Sequence, residues 1–175
     1  ETGLLYVKAL NWPSVFHVEE PEPGTEDADY FLGDFRPLNI DGLPVHKPPY
    51  STLTAIDLNK GEHVWQVPFG DYPAMKEHPL LKDLDLPQLG AGPPQHGQSG
   101  PLLTAGGLLF LSSATRNLYV FDNENGELLT TIQLDGYGYG NPITYRTKAG
   151  RQFVVIATSE SDGSGAKLNA FSLPN

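Results

Sequence analysis

Most side chains in this sequence that could do chemistry are carboxylates. Asp and Glu number 21 against 11 Lys and Arg, which gives a formal charge of −10 and an isoelectric point near 4.7. Residues 19–47 (EEPEPGTEDADYFLGDFRPLNIDGLPVHK) crowd together Glu19, Glu20, Glu22, Glu26, Asp27 and Asp29. Clustered carboxylates suit calcium, but their spacing does not follow an EF-hand loop, and a solvated surface excursion is the simpler reading. The 5 histidines offer no pair at helix-face metal spacing, and His96 sits in a loop. Cysteine is absent, which removes disulfides and Cys-ligated zinc. The negative charge argues against nucleic acid as a partner, because phosphates require the opposite sign. No apolar run approaches the roughly 20 residues of a spanning helix.

Two further acids stand in a regular frame. Residues 53–70 (LTAIDLNKGEHVWQVPFG) read as strand, tight turn, strand. The frame is A-x-D-x-x-x-G-x-x-x-W, carried by Ala55, Asp57, Gly61 and Trp65. A small residue admits a neighbouring sheet, and an Asp accepts backbone N–H groups of the turn that follows it. Gly takes positive φ, and Trp covers a large apolar area while keeping an N–H to place. The frame returns at residues 118–130, where Asp122, Gly126 and Thr130 occupy the offsets of Asp57, Gly61 and Trp65. The Trp is lost in this copy. A shortened third copy, Leu168-Asn169-Ala170-Phe171-Ser172, has Ala170 in the place of Ala55. Repeats of this kind indicate blades, solenoids or arrays.

The rest of the chain is all-β. Its 19 Gly and 16 Pro suit many short strands joined by turns. Residues 4–7 (LLYV) form a strand already under way, as in a chain entered mid-blade and belonging to a longer protein. Residues 14–18 make a further short strand, and 19–47 an acidic loop. Residues 71–97 form a Pro-rich connection, with a helical turn or two over 76–86. Strands over 99–104 and 108–113 precede the second frame and complete a four-stranded meander, one full propeller blade. Strands over 141–145, 151–157 and 167–173 begin another. The expected division is an incomplete blade over 1–70 with the insertion 19–47, a complete blade within 71–136 and an incomplete final blade over 137–175. The charge-free edge at residues 4–7 favours self-association through sheet edges unless other blades cover it.

The segments TGLLYV, KPPYSTLTAIDLNKGEHVWQVPFG, SGPLLTAGGLLFLSS, NPITYRTKAGRQFVVIA and AFSLP occur in that order. Together they resemble the C-terminal part of the pyrroloquinoline quinone (PQQ)-dependent dehydrogenases, with the membrane-type glucose dehydrogenase branch the nearest pattern. The resemblance covers nearly all of the chain outside the acidic loop. It implies a partial β-propeller, about three four-stranded blades of an eight-bladed ring with the quinone in the central funnel. It further implies oxidation of a sugar or alcohol hydroxyl, with electrons passed to a membrane quinone or a cytochrome. It places the protein in the periplasm or on the outer face of the bacterial inner membrane. PQQ and calcium are implied for the complete protein and neither for this chain alone. The family's catalytic Asp, metal ligands and stacking Trp lie in earlier segments, so the remaining blades are the implied partners.

At the funnel rim the resemblance carries over only a few positions. Asn11 follows the LYV strand where the family has a cofactor-contacting Asn. Gln98 precedes GPLLT where the family has a residue facing the cofactor. Thr158, Ser159 and Glu160 follow VVIA where the family is usually Gly-rich at the quinone's edge, so Glu160 sets a carboxylate beside an anionic cofactor. Trp65 is expected to pack between blades. A non-catalytic propeller scaffold with the same repeats is the alternative, because the repeat frame also occurs in such proteins.

Overall fold

Period-two alternation in the second blade divides its apolar side chains between two interfaces. The computed structural model describes residues 3–24, 29–92 and 99–173. Its first part contains β1 (Leu4–Leu10), β2 (Ser14–Glu19), β3 (Phe31–Pro37), β4 (Asn39–Ile40), β5 (Leu43–Pro44), β6 (Ser51–Asp57) and β7 (Glu62–Pro68). A four-residue helix, α1 (Pro73–Lys76), opens the connection to β8 (Leu102–Leu103), β9 (Leu108–Ser112), β10 (Asn117–Asp122) and β11 (Leu128–Gln133). The last part holds β12 (Tyr137–Gly138), β13 (Ile143–Arg146), β14 (Gln152–Ser159) and β15 (Lys167–Phe171).

These strands form three antiparallel blade sheets, ordered β1-β6-β7, β8-β9-β10-β11 and β12/β13-β14-β15. In the third, β12 and β13 share the edge of β14 opposite β15, because Thr158 pairs Gly138 on one side and Lys167 on the other. Leu109, Leu111, Tyr119 and Phe121 of the middle sheet pack against Tyr6, Leu53, Ala55 and Phe69 of the first. The alternate set, Phe110, Leu118 and Val120, packs against Ile156, with Val154 and Phe171 beside it. The middle blade is thus a slab buried on both faces, which is why its strands read as nearly continuous apolar runs.

The repeat frame explains the turns. Asp57 Oδ1 accepts the N–H groups of Asn59 (2.9 Å) and Lys60 (3.2 Å). Asp122 Oδ1 does the same for Glu124 (2.7 Å) and Asn125 (3.3 Å). These backbone N–H bonds, led by that of Asn59, hold the Asp57 carboxyl below the usual range. Gly61 and Gly126 close their turns at φ +70° and +76°, where a Cβ is strained. Gly126 has a second reason to be glycine: a Cβ there would lie 2.7 Å from the Trp65 ring. Trp65 therefore packs between blades, and it does so half-buried.

Three expectations need correction. Residues 19–47 are not simply loop, because β3 pairs with β2 and β4 with β5. The pairing steps from Phe16↔Phe35 to Val18↔Leu32, so Leu32 and Phe35 share a face three residues apart. That bulge hides the strand from a period-two reading. Phe16, Val18, Leu32 and Phe35 remain exposed on that face. The strand expected over 99–104 shrinks to Leu102–Leu103, since Pro101 has no N–H and the Gly100 N–H goes to Asn141 Oδ1. The α-helix itself falls at Pro73–Lys76, with Pro at its start, and the 76–86 window keeps only single turns, where the Lys82 N–H donates to His78 O (2.9 Å) and the Leu84 N–H to Leu81 O (2.9 Å).

β1 carries a titratable probe of this packing. Lys8 lies 5.8 Å from the Phe69 ring centroid, and burial lowers its pKa from 10.5 to about 8. The folded chain releases this proton first, so between about pH 8 and 10.5 the unfolded chain binds more protons and stability rises with pH. Tyr50 and Tyr72 are raised above 10 by desolvation, aided for Tyr50 by the Tyr72 charge, and they oppose the rise only at higher pH. The expected result is a melting temperature that climbs from about pH 8 to 9.5, and a flatter curve for Lys8→Met. Equal slopes in the two proteins would show that Lys8 is not desolvated.

Candidate functional site

Antiparallel order places every second connection at the same end of its sheet. The segments after β1, β7, β9, β11 and β14 share one end, here the upper; the frame turns after β6 and β10 lie at the lower. Contacts between sheets agree with this assignment. A Cβ on Gly70, above β7, would lie 3.2 Å from Ser113 Oγ, above β9. Asn11, Ser159 and Glu160 are therefore all upper-end residues. Gln98 and His96 lie outside the described residues.

Asn11 is exposed and fixed through its backbone. Its N–H donates to Tyr50 O (2.8 Å), and its carbonyl accepts from His46 Nε2 (2.7 Å). A carbonyl requires a donor, so Nε2 carries a proton, and in the neutral ring Nδ1 is left as an acceptor. His46, Trp12, Tyr50 and Tyr72 form an aromatic group with centroids 5.2–6.0 Å apart and steep interplanar angles. Trp12 Nε1 and His46 Nδ1 are buried within it without a hydrogen-bond partner. Burial raises both phenols above their ordinary pKa, aided for Tyr50 by the Tyr72 charge. Sequence reasoning missed this group because Trp12, His46, Tyr50 and Tyr72 are scattered along the chain. The signal available was aromatic residues beside strand ends.

The second upper-end group joins the middle and third sheets. Ser159 Oγ donates to the Glu160 carbonyl (3.1 Å). Glu160 Oε2 accepts from Arg116 Nη2 at 2.6 Å. Arg116 Nη1 donates to Asp135 O (2.8 Å), and its guanidinium lies 5.0 Å from the Tyr137 ring centroid. The carboxylate that a reading of Glu160 alone sets against an anion is thus paired with a guanidinium. Ser113 Oγ and Thr115 Oγ1, in the same turn as Arg116, are buried and unpartnered. Arg116 was missed because its partner is 44 residues away in sequence. Among the described residues no three His, Cys, Asp or Glu side chains gather as a metal site. The histidines are spread: His78 Nε2 bonds Asp41 O, His17 pairs Glu19, and His63 is exposed.

This end offers hydroxyl and guanidinium donors, an imidazole acceptor and aromatic faces. Such a set has the chemistry to meet a planar, oxygen-rich group; among the described residues no nucleophile with an adjacent base accompanies it.

Comparisons with known proteins agree with this architecture. The family model described as PQQ glucose/ethanol/alcohol dehydrogenase, β-propeller domain, matches residues 12–154. The probable quinate dehydrogenase (quinone) of Xanthomonas campestris pv. juglandis is 36% identical over 152 residues, 83% of this chain and 18% of that protein. The quinoprotein glucose dehydrogenase of Escherichia coli (strain K12) is 31% identical over 147 residues, covering 79% of this chain and 17% of that protein. The quinohemoprotein alcohol dehydrogenase of Comamonas testosteroni superposes with a TM-score of 0.58 at 22% identity, over 98% of this chain and 24% of that structure, a likeness of fold. This chain spans less than a fifth of the length of the two curated relatives. Three successive blade sheets, a shared turn frame and the match over 12–154 lead to one conclusion: the chain belongs to the PQQ-dependent glucose/ethanol/alcohol dehydrogenase β-propeller family.

Proposed function

We propose that these blades are part of a PQQ-dependent dehydrogenase that oxidises a hydroxyl of a small polyhydroxylated substrate, and that their upper end forms part of the cofactor rim. The observation carrying this reading is the Arg116–Glu160 pair, which joins the two sheets beside the unpartnered Ser113 and Thr115 hydroxyls. These donors suit the carboxylates and carbonyls of PQQ. PQQ, when bound, takes up the two electrons removed from the substrate hydroxyl. In this reading Arg116 offsets Glu160 and keeps the rim acceptable to an anion, while Ser113 and Thr115 satisfy cofactor oxygens. Asn11 and Ser159 lie along the same rim. Calcium is held by segments outside this chain, and the remaining blades cover the free edges of β1 and β15. The compartment is the bacterial periplasm or the outer face of the inner membrane, as the family resemblance implies.

Titration of PQQ into the full-length apoprotein tests the rim. Arg116→Gln is expected to weaken binding about tenfold, the cost of one charge-assisted contact of about 1.4 kcal/mol. Arg116→Gln combined with Glu160→Gln is expected to restore part of it, and Lys148→Gln at the lower end to leave it unchanged. Equal affinity for all variants would remove this chain's upper end from the site.

A further inference from the structure

The negative charge of this chain gathers at one end. The stretches 11–50, 69–101, 113–116, 134–142 and 160–166 connect strands at the upper end. Their described residues include 13 Asp and Glu against 5 Lys and Arg, and the other described residues include 5 against 6. The excess of acid therefore lies wholly on the side of the proposed rim. Where the middle and third sheets meet there, the acids are Asp135, Glu160 and Asp162. Arg116 is the one base among the described residues of those connections.

The Arg116–Glu160 pair is built into the backbone around it. The Arg116 carbonyl accepts the Leu134 N–H (2.8 Å) and a Gln133 Nε2–H (2.7 Å). The Glu160 N–H donates to Ser164 O (2.8 Å), and its carbonyl accepts the Gly163 N–H (3.0 Å). The ion pair engages Oε2 and Nη2, so Glu160 Oε1 and the Arg116 Nε–H are not used in it. The two side chains stay 47% and 41% exposed, enough for both to meet a ligand. Tyr137 carries the guanidinium on its face, and the Tyr139 ring lies 6.1 Å from that of Tyr137. An acceptor and a donor held side by side over an aromatic ring match neighbouring hydroxyl groups, each of which both donates and accepts. Glu160 already answers the guanidinium charge, and Asp135 and Asp162 have no ion-pair partner among the described residues. The field over this part of the rim is therefore negative.

We propose that Glu160 is a specificity-determining residue that selects substrates by charge: uncharged polyols with neighbouring hydroxyls are admitted, and hydroxy acids carrying a carboxylate are disfavoured. The inference rests on the upper end being the rim of a hydroxyl-oxidising site, and it names the substrate class of that site. The cofactor is also an anion, but direct contacts hold it. A substrate exchanges at each turnover and is sorted by the field it crosses. Glu160 stands where this chain departs from the Gly-rich pattern of the resemblance, so the preference belongs to this chain's own residues.

The test compares matched pairs on the full-length protein at saturating PQQ and calcium: D-glucose with D-glucuronate, and methyl quinate with quinate. The neutral member is expected to have the higher kcat/KM by about tenfold or more, through KM. Glu160→Gln removes one negative charge and leaves Arg116 unanswered, so the ratio is expected to fall by about tenfold, again through the KM of the acid. Arg116→Gln is expected to move the ratio the other way, and Glu124→Gln at the lower end to leave it unchanged. With the cofactor reduced beforehand, so that no turnover follows, calorimetric titration is expected to give the same order as affinities. A ratio unmoved by Glu160→Gln, or moved in the same direction by both rim variants, would overturn the inference and leave the pair as a structural tie between sheets. Turnover of neither pair would overturn the dehydrogenase reading of the rim and this inference with it.

Discussion

Trp65→Ala lowers the unfolding free energy by about 3 kcal/mol, the lower end of the range for emptying an aromatic site, because the ring is half-buried. The loss has two parts. The indole face covers Gly126, whose missing side chain makes room for it, and touches Tyr6. Its N–H satisfies the Asn123 carbonyl, to which the Tyr6 hydroxyl also donates at 3.3 Å. Trp65→Phe keeps most of the first part and loses the second, at about 1 kcal/mol for the hydrogen bond. Urea unfolding followed by circular dichroism measures both. A midpoint unmoved by Trp65→Ala would show that the first two blades do not depend on this dock.

Gly90→Ala is expected to cost as much or more, about 3 kcal/mol, from left-handed strain plus overpacking. Gly90 has φ +75°, and a Cβ there would lie 2.4 Å from Ser51 O and 2.6 Å from Ser51 N. Those are backbone atoms, and they cannot move cheaply. Ser51 O accepts the Phe69 N–H at 2.9 Å, and Ser51 Oγ donates to Ala9 O at 3.1 Å. Gly61→Ala is the control. It has φ +70° with nothing within 4 Å of the added atom, so only the conformational cost of about 1 kcal/mol applies. Similar losses for the two variants would mean that the connection 69–92 does not press on β6.

The frame residues were the most legible part of this protein, because each has a local cause. Asp57, Gly61, Asp122 and Gly126 are set by turn geometry within a few residues. β9 and β10 were visible for a related reason, since both faces are buried and the strands read as nearly continuous apolar runs. β3 was hidden by a bulge that shifts its apolar spacing from two to three. β12 was hidden by its length of two residues, too short to show any period. The upper-end groups were legible one member at a time. Asn11 and Glu160 were reached through resemblance, but the Arg116–Glu160 pair and the ring group of Trp12, His46, Tyr50 and Tyr72 form only when distant segments meet. The lost Trp at Thr130 was plain in the sequence.

The central claim is that these blades belong to a quinone-cofactor dehydrogenase acting on hydroxyl groups. Its most direct test is dye reduction by the full-length protein, prepared without PQQ and then loaded with PQQ and calcium, against aldoses, polyols and cyclitols. Turnover is expected on at least one of these classes and only after PQQ is added, with none for the isolated 175-residue chain under the same conditions. A full-length protein that folds but neither binds PQQ nor reduces the dye with any of these substrates would contradict it and leave a propeller scaffold in its place.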